Sequence, residues 1–157
     1  KGSSTTIGVR ESRRITGEYV LQDEDVETGR KFEDVVVHSA NFLLDIHNPS
    51  GGGQAEGEAK RVRAYDIPLR CFIPKKVENL FVTGRAISGT HRAHSSYRVM
   101  NICMPMGEAV GVASALCVKE GVTPRKLDFH KVQEVLIKLG VDLFSDKEYS
   151  YPFNPSN

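Results

Sequence analysis

The chain has 157 residues, of which 39% are hydrophobic and 26% charged, with 21 basic and 20 acidic side chains and a formal net charge of +1. That length suits one ordinary domain, and the composition is that of a globular protein rather than a disordered one. So even a balance supplies no basic field for nucleic acid or an anionic membrane, and no uninterrupted apolar run reaches bilayer length.

Three cysteines, Cys71, Cys103 and Cys117, form an odd set without paired spacing. They outline neither a disulfide framework nor a zinc site, and a reducing compartment is the default. The chain opens on Lys1 rather than methionine, as a processed or excised chain does.

In chain order, residues 5 to 20 read as extended, with β-formers Ile7, Val9, Ile15, Tyr19 and Val20 interrupted by Arg10-Glu11-Ser12-Arg13-Arg14. Asp23 to Val26 reads as a short acidic turn of helix before Gly29. Val35-Val36-Val37 and Phe42 to Ile46 are strand material. Asn48 to Gly57, with Gly51-Gly52-Gly53, reads as a flexible loop. Tyr65 to Ile73 predicts another strand, in which Pro68 argues for an edge or a bulge. Asn79 to Gly84 is a short apolar run that predicts a buried strand, followed by a polar loop from Arg85 to Tyr97. A long helix is expected from about Asn101 to Glu120, stopped by Gly121, with Pro105 in its first turn. A second helix follows from Asp128 to Leu139, capped by Asp128 and stopped by Gly140. The tail from Tyr149 to Asn157 predicts irregular structure.

The informative stretch runs from Asn79 to Leu116. On its helix Gly107, Gly111 and Ala115 recur every fourth residue, with Ala109 and Ala113 as a neighbouring small stripe. Such spacing suits close packing of a helix on a sheet, and equally a helix whose N-terminus is set against an electron-rich ligand.

Three runs in order are Leu80-Phe81-Val82-Thr83-Gly84-Arg85-Ala86-Ile87-Ser88, Ser95-Ser96-Tyr97-Arg98-Val99-Met100 and Met106-Gly107-Glu108-Ala109-Val110-Gly111. Upstream stand Val9-Arg10-Glu11-Ser12-Arg13-Arg14-Ile15, Asp45-Ile46-His47 and Tyr65-Asp66-Ile67-Pro68-Leu69-Arg70-Cys71. Together they resemble the C-terminal portion of the bacterial FAD-dependent oxidoreductase family, over about Gly8 to Leu139. The resemblance implies an α+β chain that is a fragment of a two-domain α/β flavoprotein. Residues 1–77 would belong to the substrate-binding domain, 78–120 would close the FAD domain, and 121–157 would form a C-terminal helix and tail. It implies FAD as cofactor, with Gly84 and Arg85 near its ribityl-phosphate part. Arg98, Val99, Met100, Asn101 and Ile102 would lie along the isoalloxazine ring. Partners would be a small-molecule substrate and the N-terminal FAD-binding half of the same chain. No G-x-G-x-x-G occurs in the sequence, so the fragment alone is expected to bind FAD weakly or not at all, and to be inactive. Without an upstream sheet, the small-residue helix face and the Leu80–Val82 run would be uncovered and favour self-association.

Among single residues, His91 and His94 stand three apart, with no third metal ligand at a familiar spacing. His91 is the acid/base candidate, against the alternative of an ordinary loop histidine. Arg10, Arg13, Arg70 and His47 are candidate substrate contacts, with Arg14 completing a basic cluster that Glu11 could instead hold in structural ion pairs. Cys103, at the start of the long helix, reads as a buried small hydrophobe rather than a stabilised thiolate. The rival to the enzyme reading is a non-catalytic binding or assembly module of the same architecture.

Overall fold

The computed structural model describes residues 9–47 and 59–145. The loop from Asn48 to Gly57, apart from its surroundings, and the tail from Tyr149 lie outside the described residues. The fold is α+β: helices α1 (Asp23–Thr28), α2 (His91–Tyr97), α3 (Met100–Glu120) and α4 (Phe129–Lys138) surround an antiparallel pair, β1 (Val35–Ala40) and β2 (Tyr65–Pro68).

The helix ends follow from local chemistry. α1 places Asp23, Glu24 and Asp25 in its first turn, and Asp25 returns to accept from the Gln22 N–H, so acidic charge meets the unpaired N-terminal amides. Gly29 ends it at φ 70°, and a Cβ there would meet Arg63 Cβ at 2.7 Å and the Ala64 carbonyl at 2.8 Å. The Asp128 side chain caps α4 by accepting from the His130 N–H, and the last turn of α3 closes through the Gly121 N–H onto the Cys117 carbonyl. Pro105 sits in the second turn of α3, not the first, because the helix begins at Met100 and holds the proline inside it.

β1 pairs with β2 through Val35–Pro68, Val37–Ile67 and Ala40–Tyr65, with register shifts between them. Pro68 thus ends the strand, and Leu69–Phe72 turns as a 3-10 helix instead of extending to Ile73. Several expected strands do not form. Residues 9–16 have no regular structure, and Phe42–Ile46 contributes only the bridge Leu44–Lys60. Leu80–Thr83 is irregular: Leu80 is 44% exposed, and the Val82 N–H donates to the Phe72 carbonyl at 2.9 Å without a ladder. An apolar run becomes a buried strand only where neighbouring strands satisfy its backbone, and among the described residues none flank it. The stretch read as a polar loop holds a 3-10 turn, Gly84–Ala86, and α2, whose Thr90 hydroxyl accepts from the Ala93 N–H.

One core joins these parts: Leu21, Tyr65, Phe72, Ile87, Tyr97, Met106 and Leu136 are all fully buried. α3 turns Ile102, Met106, Ala109, Ala113 and Cys117 into it and packs on β1 and α4. The small residues that make the close approach are therefore Ala109 and Ala113. Gly107, Gly111 and Ala115 lie on the open face, where a Cβ at either glycine would meet nothing within 4 Å. That face is largely apolar, with Met100 83%, Met104 74% and Val118 85% exposed, and carries the exposed Glu108 at its edge. In length and composition α3 also meets the minimum for a bilayer span, with mean hydropathy 1.4, although Glu108 interrupts its apolar run. Its opposite face is nonetheless taken up by the core just described.

Candidate functional site

Four separated segments meet at one open depression of about 340 Å³ lined by Arg10, Asp45, His47, Arg85, Arg98 and Val99. The Arg85 guanidinium donates to the Val9 carbonyl at 2.7 Å and the Arg10 carbonyl at 3.3 Å, which ties the irregular segment 9–14 to the Gly84–Ala86 turn. Gly84 reaches that turn at φ 65°, a left-handed conformation that disfavours other residues. Arg98, at the C-terminal end of α2, donates to the Asp45 carbonyl at 2.7 Å and its carboxylate at 3.2 Å, and its side chain is only 11% exposed. The same carboxylate lies 2.8 Å from His47 Nε2, and Arg10 also contacts that nitrogen. Three guanidinium groups and one carboxylate thus line the depression, and the excess positive charge suits an anionic ligand.

The first turn of α3 adjoins this depression through Val99, its N-cap, whose extended backbone accepts from the N–H groups of Ile102 and Cys103. The N–H groups of Met100 and Asn101 have no partner within the helix, so they offer donors at the positive end of its dipole. Met100 and Asn101 are exposed, whereas the Ile102 side chain, 3% exposed, belongs to the core rather than to any open surface.

The other candidate residues lie apart. Arg70 grips Asp34 with two parallel bonds of 2.8 and 2.9 Å and stacks over Tyr19. Arg13 is exposed and makes no ion pair among the described residues. Cys103 is half-buried, donates to the Tyr97 carbonyl, and burial pushes its thiol up, so no thiolate is favoured there.

A second polar group lies on α2. His91 is exposed and places Nδ1 2.6 Å from the Glu11 carboxylate, while His94 is 1% exposed and 3.8 Å from the same oxygen. Neither His94 ring nitrogen has a partner among the described residues, and burial lowers its value from 6.5 to about 4, against a weaker opposing pull from Glu11. Burial works to raise the Glu11 carboxyl, but the hydrogen bond from His91 and the charge and hydrogen bonding of Arg14 hold it below its ordinary value. Sequence reasoning missed Glu11, His94 and Asp45 as site residues. The i, i+3 histidine pair was visible, but its placement against Glu11 needed the fold.

A family model described as FAD dependent oxidoreductase matches residues 1–136. The chain belongs to this family. No curated protein and no solved structure matches it. Of the residues that the sequence associated with flavin, Arg85, Arg98 and Val99 share the depression with Arg10 and His47, which it associated with substrate.

Proposed function

We propose that this chain supplies the closing segment of the flavin site, and part of the substrate cleft, of an FAD-dependent oxidoreductase. The observation that carries this reading is the convergence of Arg10, Arg85 and Arg98 on one open depression beside the N-terminus of α3. The donor set fits an anionic portion of FAD: guanidinium groups pair with phosphate or with the N1–C2 edge, and helix N–H groups add to them. A depression of about 340 Å³ accommodates a portion of a dinucleotide, in keeping with a site that other residues complete. When bound, flavin would supply a two-electron acceptor for an organic substrate. Asp45 would hold Arg98 and His47 in place, and His91 would exchange a proton with the substrate.

In this reading residues 1–77 belong with the substrate domain, 78–120 close the FAD domain, and 121–157 pack behind it. The open face of α3, with Gly107 and Gly111, would take the backbone of the N-terminal FAD-binding half, and in its absence a second copy of the chain. The test is the intact parent flavoenzyme with Arg98→Met. Loss of a charge-assisted contact worth about 1.5–3 kcal/mol should weaken FAD retention roughly 10- to 100-fold. Undiminished FAD content in that variant contradicts the placement. A tight, stoichiometric FAD titration of the chain alone would contradict the division of the site between two halves.

A further inference from the structure

Segment 9–14 turns neighbouring residues toward two different places: Arg10 lines the depression, and Glu11 faces α2. One oxygen of the Glu11 carboxylate lies 2.6 Å from His91 Nδ1 and 3.8 Å from His94 Nδ1, and the other meets Arg14. A carboxylate only accepts, so the short contact places a hydrogen on His91 Nδ1. A neutral imidazole carries one N–H, and Nε2 is therefore left with its lone pair. The His91 side chain is 62% exposed, so a substrate can reach that nitrogen. His94 cannot take the same role, because its ring is 1% exposed and packs edge-on against Tyr97. Arg14 on the far oxygen helps keep Glu11 an ionised acceptor.

We propose that Glu11 is a positioning residue that holds His91 as its Nδ1–H tautomer, so that Nε2 is the proton acceptor for substrate. The inference rests on the flavoenzyme reading above and narrows it to substrates oxidised at an alcohol or amine carbon. Dehydrogenating such a carbon would release a hydride equivalent, for which bound flavin would supply the acceptor, and one proton from the O–H or N–H. As that O–H or N–H bond breaks and the C=O or C=N bond forms, Nε2 takes the proton. The resulting imidazolium keeps its bond to Glu11, whose negative charge offsets the new positive one.

The tautomer is directly observable. Two-bond proton–nitrogen correlation spectra of the 15N-labelled 157-residue chain, recorded where the rings are neutral, identify the lone-pair nitrogen of each histidine, with His91→Gln assigning the signals. The wild type should show His91 protonated at Nδ1. Glu11→Leu should return it to the Nε2–H form that free histidine prefers, while Arg14→Met should leave Nδ1 protonated. Wild-type His91 in the Nε2–H form, or a His91 tautomer that ignores Glu11→Leu, overturns the proposal. Should Glu11→Leu fail to fold, the wild-type spectrum alone decides. FAD content of the parent is read separately, so failure of the flavin reading and failure of the Glu11–His91 pair are told apart.

Discussion

His94→Leu tests the electrostatics around α2 most sharply. The ring is 1% exposed, neither nitrogen has a partner among the described residues, and burial lowers its value from 6.5 to about 4. Between those two values the unfolded chain binds a proton that the folded chain refuses, so stability rises with pH across the window and is lost as pH falls through it. Linkage puts the loss between pH 7 and pH 5 at about 2 kcal/mol for a shift of this size. Leucine has similar volume and no polar atoms, so it removes both the proton and the unsatisfied nitrogens. Urea unfolding at pH 7 and pH 5 should therefore show a wild type that weakens by about 2 kcal/mol more than the variant. At pH 7 the variant should be no less stable than the wild type to within about 1 kcal/mol. Glu11 acts in the same sense, because its lowered carboxyl contributes stability that is lost on acidification, but that loss falls mainly below its ordinary value, and staying at pH 5 or above keeps most of it out. Parallel losses in the two proteins would refute the buried, neutral histidine.

Gly29→Ala should cost about 2–4 kcal/mol by urea unfolding, combining left-handed strain with overpacking against Arg63 and Ala64. Gly121→Ala has φ 65° but open space around it, so it should cost only about 1 kcal/mol, and equal effects would contradict the clash. Arg70→Met leaves the Asp34 carboxylate without its bidentate partner and should destabilise by about 2 kcal/mol while FAD content of the parent stays unchanged. Sedimentation of the isolated chain should show concentration-dependent association through the open α3 face, and Met104→Lys should suppress it; a strict monomer at high concentration would contradict the expectation.

The helices with strong local punctuation were legible. The acidic first turn of α1, the Asp128 cap of α4, and Gly29, Gly121 and Gly140 with positive φ all act within a few residues of sequence. β1 was legible because Val35, Val36 and Val37 form an apolar run and are all buried. α2 was not, because its buried face is Ala93, His94, Ser95, Ser96 and Tyr97, which carries no apolar period. The Ser96 hydroxyl is satisfied by distant partners, donating to the Phe42 carbonyl and sharing a bond with Tyr65, whereas Ser95 donates locally to the Arg92 carbonyl. Leu80–Thr83 reads as a strand from composition, yet a strand exists only through neighbours, and composition does not supply them. The depression was legible only in parts. Motif resemblance singled out Arg85, Arg98 and Val99, but the meeting of Arg10, Asp45 and His47 with them spans tens of residues of separation and depends on the fold.

The most direct test of the central claim is the visible absorption of the purified parent flavoenzyme, wild type and Arg98→Met, with chromatographic identification of the released cofactor. The account predicts a yellow wild type that releases FAD and a variant that retains far less of it at equal concentration and unchanged fold. A parent that is colourless and cannot be reconstituted with FAD, or a variant as fully loaded as the wild type, would contradict it.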